Sequence, residues 1–277
     1  MKKIIVPTDF SDQATQALKF AVDIATQSRG EILLVHVVDL PIIKDSIIAT
    51  SLYVDDSIVK DSTAKAQKSF DKLLARYKDS EVTIKTTVEY GNTTMATLKL
   101  VETKKADLVV MGTKGASGLK EIFVGSNTEK IVRGAKVPVI SLPKASKIST
   151  VKNIVFPNSL REENEALTLK VKDLQNFFKA TLHIVYVNTP AIFKRDYETI
   201  GRLNSYAKRY MFKNYKIHVY NDLSEQDGTM NFASDVGADI IAMGTHGRQG
   251  LAHLFSGSVA EDVVNHVNCP IWTFRSR

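Results

Sequence analysis

The sequence predicts an α/β protein: two tandem, doubly wound, five-stranded parallel-sheet domains of the Rossmann-like kind. Three observations carry this. Short apolar runs alternate with helical periodicities, the order expected of parallel strands joined by helical crossovers. Several strands are near-continuous apolar runs, the pattern of a sheet covered on both faces. The whole order then occurs a second time.

In chain order, Lys2–Pro7 is a short apolar strand. Ser11 stands where it can cap a helix whose Leu18, Ala21, Val22 and Ala25 recur at helical spacing. Glu31–Val38 is a buried strand, and Ser62–Tyr77 reads as an amphipathic helix carrying Ala66, Phe70, Leu73 and Leu74. Val82–Glu89 alternates as a strand, Thr93–Thr103 is helical and Asp107–Met111 is a buried strand. Asn127–Arg133 is a helix and Val137–Leu142 closes the copy. Lys144–Lys152 is a polar linker, and the pattern restarts at Asn153. The expected domains are 1–147 and 148–277, the second being the shorter.

The repeat is visible residue by residue. Ile4-Ile5-Val6-Pro7 matches Ile154-Val155-Phe156-Pro157, and Ile32–Val37 matches Leu182–Val187, both at an offset of 150. Leu108–Gly115 matches Ile240–Gly247 at an offset of 132. Copy two has therefore lost 18 residues between its second strand and the later motif. Surface connections tolerate such losses best, which points to the stretch matching Asp39–Thr63.

Composition narrows the function. With 44% hydrophobic and 24% charged residues, 277 residues supply apolar mass for two cores. The formal charge of +7 is spread along the chain. No basic helix face interleaved with aromatics is read, so nucleic acid is not the expected partner, and anionic small molecules are. The lone cysteine, Cys269, precedes Pro270-Ile271-Trp272 and reads as an inert residue at a strand start, in keeping with a reducing cytoplasm. Ile4-Ile5-Val6 stops at Pro7, too short for a secretory signal, and no apolar run has membrane-spanning length. A soluble, cytoplasmic protein without membrane partners is expected.

The functional signal is a glycine pattern. Copy one reads Gly112-x2-Gly115-x9-Gly125-Ser126, and copy two reads Gly244-x2-Gly247-x9-Gly257-Ser258. Each follows a buried strand and precedes a helix. Glycine lets the backbone approach a ligand closely, successive amides form an anion-binding nest, and a helix start presents unpaired N–H groups. The spacing suits a nucleotide's phosphates. Ser126-x-x-Glu129 and Ser258-x-x-Glu261 are also capping-box patterns, so each serine has a purely structural alternative. No Walker loop is present, and no G-x-G-x-x-G follows the first strand.

Together with Ile5-Val-Pro-Thr-Asp-Phe-Ser11 and Val35-His36-Val37-Val38, these motifs resemble the universal stress proteins in tandem form, over almost the whole chain. The resemblance implies ATP, with Mg²⁺, as the ligand. It implies that Asp9, beside Pro7 and Thr8, lies near ribose and adenine, that Val37 packs on the base, and that Met111, Gly112, Gly115, Gly125, Ser126 and Asn127 hold the phosphates. The matching positions in copy two are Pro157, Asn158, Val187, Met243, Gly244, Gly247, Gly257, Ser258 and Val259. Ser159 stands where copy one has Asp9, and it is a weaker acceptor for ribose hydroxyls. Copy one is therefore expected to bind ATP, and copy two to bind weakly, take another anion, or none. Asp9 has an alternative role in helix capping with Ser11 and Asp12.

Catalytic machinery is sparse. His246 lies in the second glycine loop, but Lys114 matches it in copy one, and a solvated loop residue that helps neutralise phosphate is the simpler reading. His36 and His183 lie in apolar strands and read as core histidines. His218, His253 and His266 lack metal-ligand spacing. The expectation is a nucleotide-responsive binding module in stress adaptation. The alternatives are a slow ATPase or phosphotransferase, and a structural stress protein without nucleotide. The last strands, Pro138–Leu142 and Pro270–Phe274, read as edge strands. The resemblance implies that they pair the copies as an intramolecular pseudo-dimer, with homodimerisation left open.

Overall fold

The computed structural model describes residues 1–39, 56–113, 126–143, 151–160, 164–244 and 269–275. The first copy contains β1 (Lys3–Pro7), α1 (Asp12–Ser28), β2 (Glu31–Val38), α2 (Asp56–Leu74), β3 (Thr83–Tyr90), α3 (Thr93–Thr103), β4 (Leu108–Gly112), α4 (Ser126–Gly134) and β5 (Val139–Leu142). The second contains β6 (Asn153–Pro157), α5 (Glu165–Phe178), β7 (Thr181–Asn188), α6 (Asp196–Arg209), β8 (Tyr215–Asn221), α7 (Glu225–Asp235), β9 (Ile240–Gly244) and β10 (Ile271–Phe274). The linker around residue 147 lies outside the described residues.

All ten strands form one sheet, in the order β3-β2-β1-β4-β5-β10-β9-β6-β7-β8. Within each half the pairs are parallel, and each half has the doubly wound order expected from the alternation. The halves meet where β10 runs antiparallel to β5, with Trp272 opposite Ile140. The two apolar strands expected at edges thus lie at the centre, each covering the other's open hydrogen-bonding side. The outer edges are β3 and β8. Thr273 Oγ1 donates to Val139 O at 3.3 Å, Arg275 Nη1 to Arg133 O at 3.1 Å, and Gln27 Nε2 to Phe177 O at 2.7 Å.

Strand alternation sorts side chains into two layers. Ile4, Val6, Leu108, Val110, Ile140, Ile154, Phe156 and Trp272 pack on one face with residues of α1, α2, α5 and α6. Ile5, Val109, Met111, Val139, Val155, Ile241 and Ile271 pack on the other with residues of α3, α4 and α7. Each layer runs through both copies. Asp107 Oδ2 accepts the amides of Lys2 and Lys3, and Asp239 Oδ2 those of Lys152 and Asn153, all within 2.9 Å. The same clamp therefore fixes the start of β1 and of β6.

Helix starts follow their caps: Ser11 for α1, Asn92 for α3, Asn164 for α5 and Ser224 for α7. The helix expected over Ser62–Tyr77 instead begins at Asp56 and ends at Leu74, followed by a 3-10 turn at Ala75–Tyr77. Its first turns are held by β3, because the Tyr90 hydroxyl reaches Val59 O at 3.3 Å. The residues missing from copy two lie between its second and third strands, as expected. They come partly from the helix, since α6 has 14 residues and α2 has 19. Residues 40–55 of the long connection lie outside the described residues.

Cys269 is buried just before β10, and burial pushes its thiol up to about 12, where it is unreactive at neutral pH. His183 is a core histidine, as its strand predicted. Its Nε2 lies 3.2 Å from Asn153 Oδ1, an acceptor, so Nε2 carries the proton. Nδ1 is then the acceptor for His218 Nε2–H at 3.2 Å, with the rings within 14° of parallel. Burial holds both imidazoles below their usual range, His183 further lowered by His218 and Lys216, and His218 by Lys216. A histidine with a lowered folded value contributes stability that is present above its unfolded value of about 6.5 and lost as pH falls from there through the folded value. The melting temperature is therefore expected to drop between pH 7 and pH 5, and less steeply in the double variant His183→Gln, His218→Gln. Equal slopes would place the acid sensitivity elsewhere.

A candidate anion cradle at the strand-order reversal

In each half, strand order reverses beside the first strand: β1 lies between β2 and β4, and β6 between β7 and β9. Crossovers leave opposite faces there, so a crevice opens beyond the carboxyl ends of the strands, the usual ligand position in such sheets. At this end of the sheet in copy one, Pro7 closes β1 and is followed by Thr8 and Asp9, Met111 and Gly112 end β4, and Val37 lies near the end of β2.

The turn after β1 is tightly specified. Thr8 is buried; its amide donates to Val35 O at 2.7 Å, and its Oγ1 accepts from Phe10 N at 3.0 Å. Asp9 is exposed, and its Oδ1 accepts from Ser11 N at 3.0 Å. Ser11 Oγ in turn accepts from Ala14 N at 3.2 Å, so the capping role falls to Ser11, with Asp9 bracing the turn before it. Phe10 has φ of 64°, a left-handed conformation costly for a bulky residue. Its ring packs on His36, 4.7 Å between centroids, and on Phe70 at 5.1 Å. His36 Nδ1 lies 2.9 Å from Thr8 O, so this half-buried histidine braces the turn.

Gly112 does more than turn the chain. A Cβ there would lie 3.1 Å from Gln13 Cβ and 3.3 Å from the Gln13 backbone. The glycine therefore lets the first turn of α1 approach the end of β4. Thr128 Oγ1 donates to Gly112 O at 3.1 Å, tying α4 to the same point. Ser126 and Asn127 are exposed at the start of α4, and Asn127 Oδ1 accepts from Thr94 Oγ1 at 3.2 Å. Glu129 pairs with Arg133 at 2.8 Å, so its carboxylate is engaged one turn further along the helix surface, away from Ser126. Gly115 and Gly125 lie outside the described residues, as do Gly247, Gly257, Ser258, Val259 and His246.

Copy two repeats the turn. Asn158 N donates to Val185 O at 2.8 Å, Asn158 Oδ1 accepts from Leu160 N at 2.9 Å, and Leu160 has φ of 56°. Pro157 ends β6 and is followed by Asn158, and Met243 and Gly244 end β9, both half-buried where Met111 is buried, while Val187 near the end of β7 is itself buried. One difference was not read from the sequence. At an offset of 150, α1 and α5 end in register at Ser28 and Phe178, but α5 starts three residues late, capped by Asn164. Its positive end is withdrawn by almost a turn from the crevice. A Cβ on Gly244 would meet Leu167 Cδ2 at 2.9 Å, the far end of a flexible side chain. Gly112→Ala is therefore expected to cost about 1–3 kcal/mol as overpacking against backbone, and Gly244→Ala clearly less. Urea denaturation of the two variants checks this, and equal losses would contradict it.

Among the described residues no group of three or more His, Cys, Asp and Glu could hold a metal ion. No described helix is long and apolar enough to cross a membrane.

The family model described as "Universal stress protein family" matches residues 1–143 and 215–275. The chain belongs to the universal stress protein family. Universal stress protein MJ0531 of Methanocaldococcus jannaschii is 33% identical over 146 residues, covering 53% of this chain and 84% of that one. Universal stress protein Slr1230 of Synechocystis is 23% identical over 292 residues, covering 99% of this chain and 100% of its own, which matches the tandem arrangement. The crystal structure of a universal stress protein from Archaeoglobus fulgidus covers 99% of this chain and 98% of that one, with a TM-score of 0.75 at 18% identity. That likeness supports the fold.

Proposed function

We propose that this universal stress protein is a nucleotide-responsive binding module in which copy one, residues 1–147, binds ATP in the crevice between β1 and β4. The observation that carries the reading is the convergence there of a strained, braced turn ending in Asp9, the glycine at the end of β4, and the start of α4. Helix amides and their dipole favour a polyanion at such a place. Asp9, with Pro7 and Thr8, would meet the ribose, Val37 the base, and Met111, Gly112, Gly115, Gly125, Ser126 and Asn127 the phosphates. The residues present fit the group: an exposed carboxylate at the ribose position and exposed Ser126 and Asn127 at a helix start. Mg²⁺ would travel with the phosphates.

Copy two, residues 148–277, is the weaker partner in this proposal. Ser159 replaces the carboxylate, and the first turn of α5 is drawn back. The β5–β10 pairing makes the chain an intramolecular pseudo-dimer, so that ATP in one half biases the whole sheet. The protein acts in the cytoplasm as a switch and does not turn ATP over.

Calorimetry with Mg-ATP tests this, with one tight site expected. At about one hundred times its Kd, ATP should add about 2.7 kcal/mol of stability, seen as a rise of several degrees in Tm. Two equal tight sites would refute the asymmetry. No heat and no thermal shift at millimolar ATP would refute nucleotide binding. Steady phosphate release would make the protein an ATPase.

A further inference from the structure

The two outer strands of the sheet, β3 and β8, differ in what they offer a neighbour. Among the described residues neither has a strand on its far side. Strand β3 pairs with β2 without interruption, from Thr83 opposite Glu31 to Tyr90 opposite Val38. All its residues except Lys85 and Glu89 are Thr, Ile, Val or Tyr, the types that favour strands, and it holds no proline. A long, unkinked edge of this kind is a template for another strand.

The hydrogen-bond pattern decides which groups face outward. Gly91 N donates to Val38 O at 2.9 Å. Bonded residues alternate along a parallel ladder, so the main chains of Lys85, Thr87 and Glu89 turn to β2. Those of Ile84, Thr86, Val88 and Tyr90 point N–H and C=O away from the sheet. The side chains of Lys85, Thr87 and Glu89 share one face with Leu33, Val35 and Val37 of β2, the face that α3 covers. Lys85 Nζ donates to Glu31 Oε2 at 2.7 Å, which uses one of its three donors, and its side chain is 63% exposed. Glu89 Oε1 accepts from Thr87 Oγ1 at 3.5 Å, and among the described residues no ion pair engages it.

We propose that β3 is a self-association edge, pairing antiparallel with β3 of a second copy of this chain about a two-fold axis at Thr87. In that register Ile84 meets Tyr90 and Thr86 meets Val88, and each pair exchanges two main-chain hydrogen bonds. Lys85 of one copy faces Glu89 of the other, twice, in the closer positions between those bonds. Moving the axis to Thr86 or Val88 sets Lys85 opposite Thr87 or Gly91 and loses both ion pairs. A lysine on an edge usually deters pairing; here Glu89 answers it. Strand β8 has no such match. Leu182 N donates to Asn214 O at 3.0 Å, so Tyr215, Ile217, Val219 and Asn221 turn their main chains outward. Self-pairing of β8 over its full length sets His218 opposite itself and Lys216 opposite Tyr220, with no acid facing either. Joining β3 to β8 of another copy keeps one ion pair, Glu89 with Lys216, and does not close, whereas the two-fold pairing does.

The inference uses none of the crevice residues, so it stands or falls apart from nucleotide binding. Sedimentation of the full chain across the micromolar range is expected to show a monomer–dimer equilibrium. Lys85→Glu and Glu89→Lys should each weaken the dimer about tenfold or more, by setting like charges opposite each other, and the double exchange should restore it. Thr87→Cys should give a disulfide-linked dimer on mild oxidation. Residues opposite each other on the axis lie about 4.5 Å apart between Cα atoms, within disulfide reach. Thr86→Cys should not, since its twin lies about 7–8 Å away. Wild type, with only the buried Cys269, is the control. A chain that stays monomeric, with Thr87→Cys left uncrosslinked, would overturn the proposal. So would a dimer indifferent to both single charge variants, species that grow beyond the dimer, or equal crosslinking of Thr86→Cys and Thr87→Cys.

Discussion

Trp272→Ala is expected to destabilise the protein by about 3–5 kcal/mol, the range for deleting a large aromatic from a packed core. Trp272 is 1% exposed and lies on β10, between Ala242 of β9 and Ile140 of β5. It therefore stands at the join between the two halves of the sheet. Removing it opens a void against both halves, and rigid strands on either side limit collapse. Its Nε1 is buried with no hydrogen-bond partner among the described residues. Trp272→Phe removes that donor along with some volume, so its cost should stay below about 2 kcal/mol. It is the only tryptophan in the chain, so unfolding is followed by circular dichroism in urea. A loss under about 1 kcal/mol for Trp272→Ala would mean that β10 does little to hold the halves together.

What could be read in advance follows from which interactions are local. Buried parallel strands such as Glu31–Val38 and Leu108–Gly112 announce themselves by composition, and the alternation with helices fixes the order within each half. The start of α2 was missed by six residues because its first turns are secured by Tyr90 from β3, a contact without a local signature. The β5–β10 junction joins residues 130 or more positions apart, and apolar composition showed only that each strand wanted a neighbour. At the crevice, Asp9 and Gly112 were legible as types. That Gly112 serves the approach of Gln13, and that His36 braces Thr8, depends on packing distances. The withdrawn start of α5 escaped because the repeat was aligned on its strands. Asn164, an ordinary capping residue, stands three positions after the place that matches Ser11.

Gly125→Val should reduce ATP affinity of copy one at least a hundredfold. The described helix α4 begins at Ser126, so residue 125 supplies the last backbone before the exposed helix start. A β-branched side chain there restricts the backbone and stands where phosphate oxygens would approach the amides. The fold should survive, because none of the described residues of either core layer is changed. Asp9→Ala is expected to weaken ATP about tenfold, by removing the ribose acceptor and loosening the turn it braces at Ser11 N. Asp9→Asn keeps a side-chain oxygen for both tasks and should fall between Asp9→Ala and wild type. In copy two, Gly257→Val should barely change the tight site, because Ser159 and the shortened α5 leave that half with little affinity to lose. If Gly125→Val and Gly257→Val proved equally damaging, the asymmetry would be lost while phosphate binding at both helix starts would stand. If Gly125→Val bound ATP as wild type does, the nucleotide would lie elsewhere, and the convergence of Asp9, Gly112 and α4 would be a matter of packing alone.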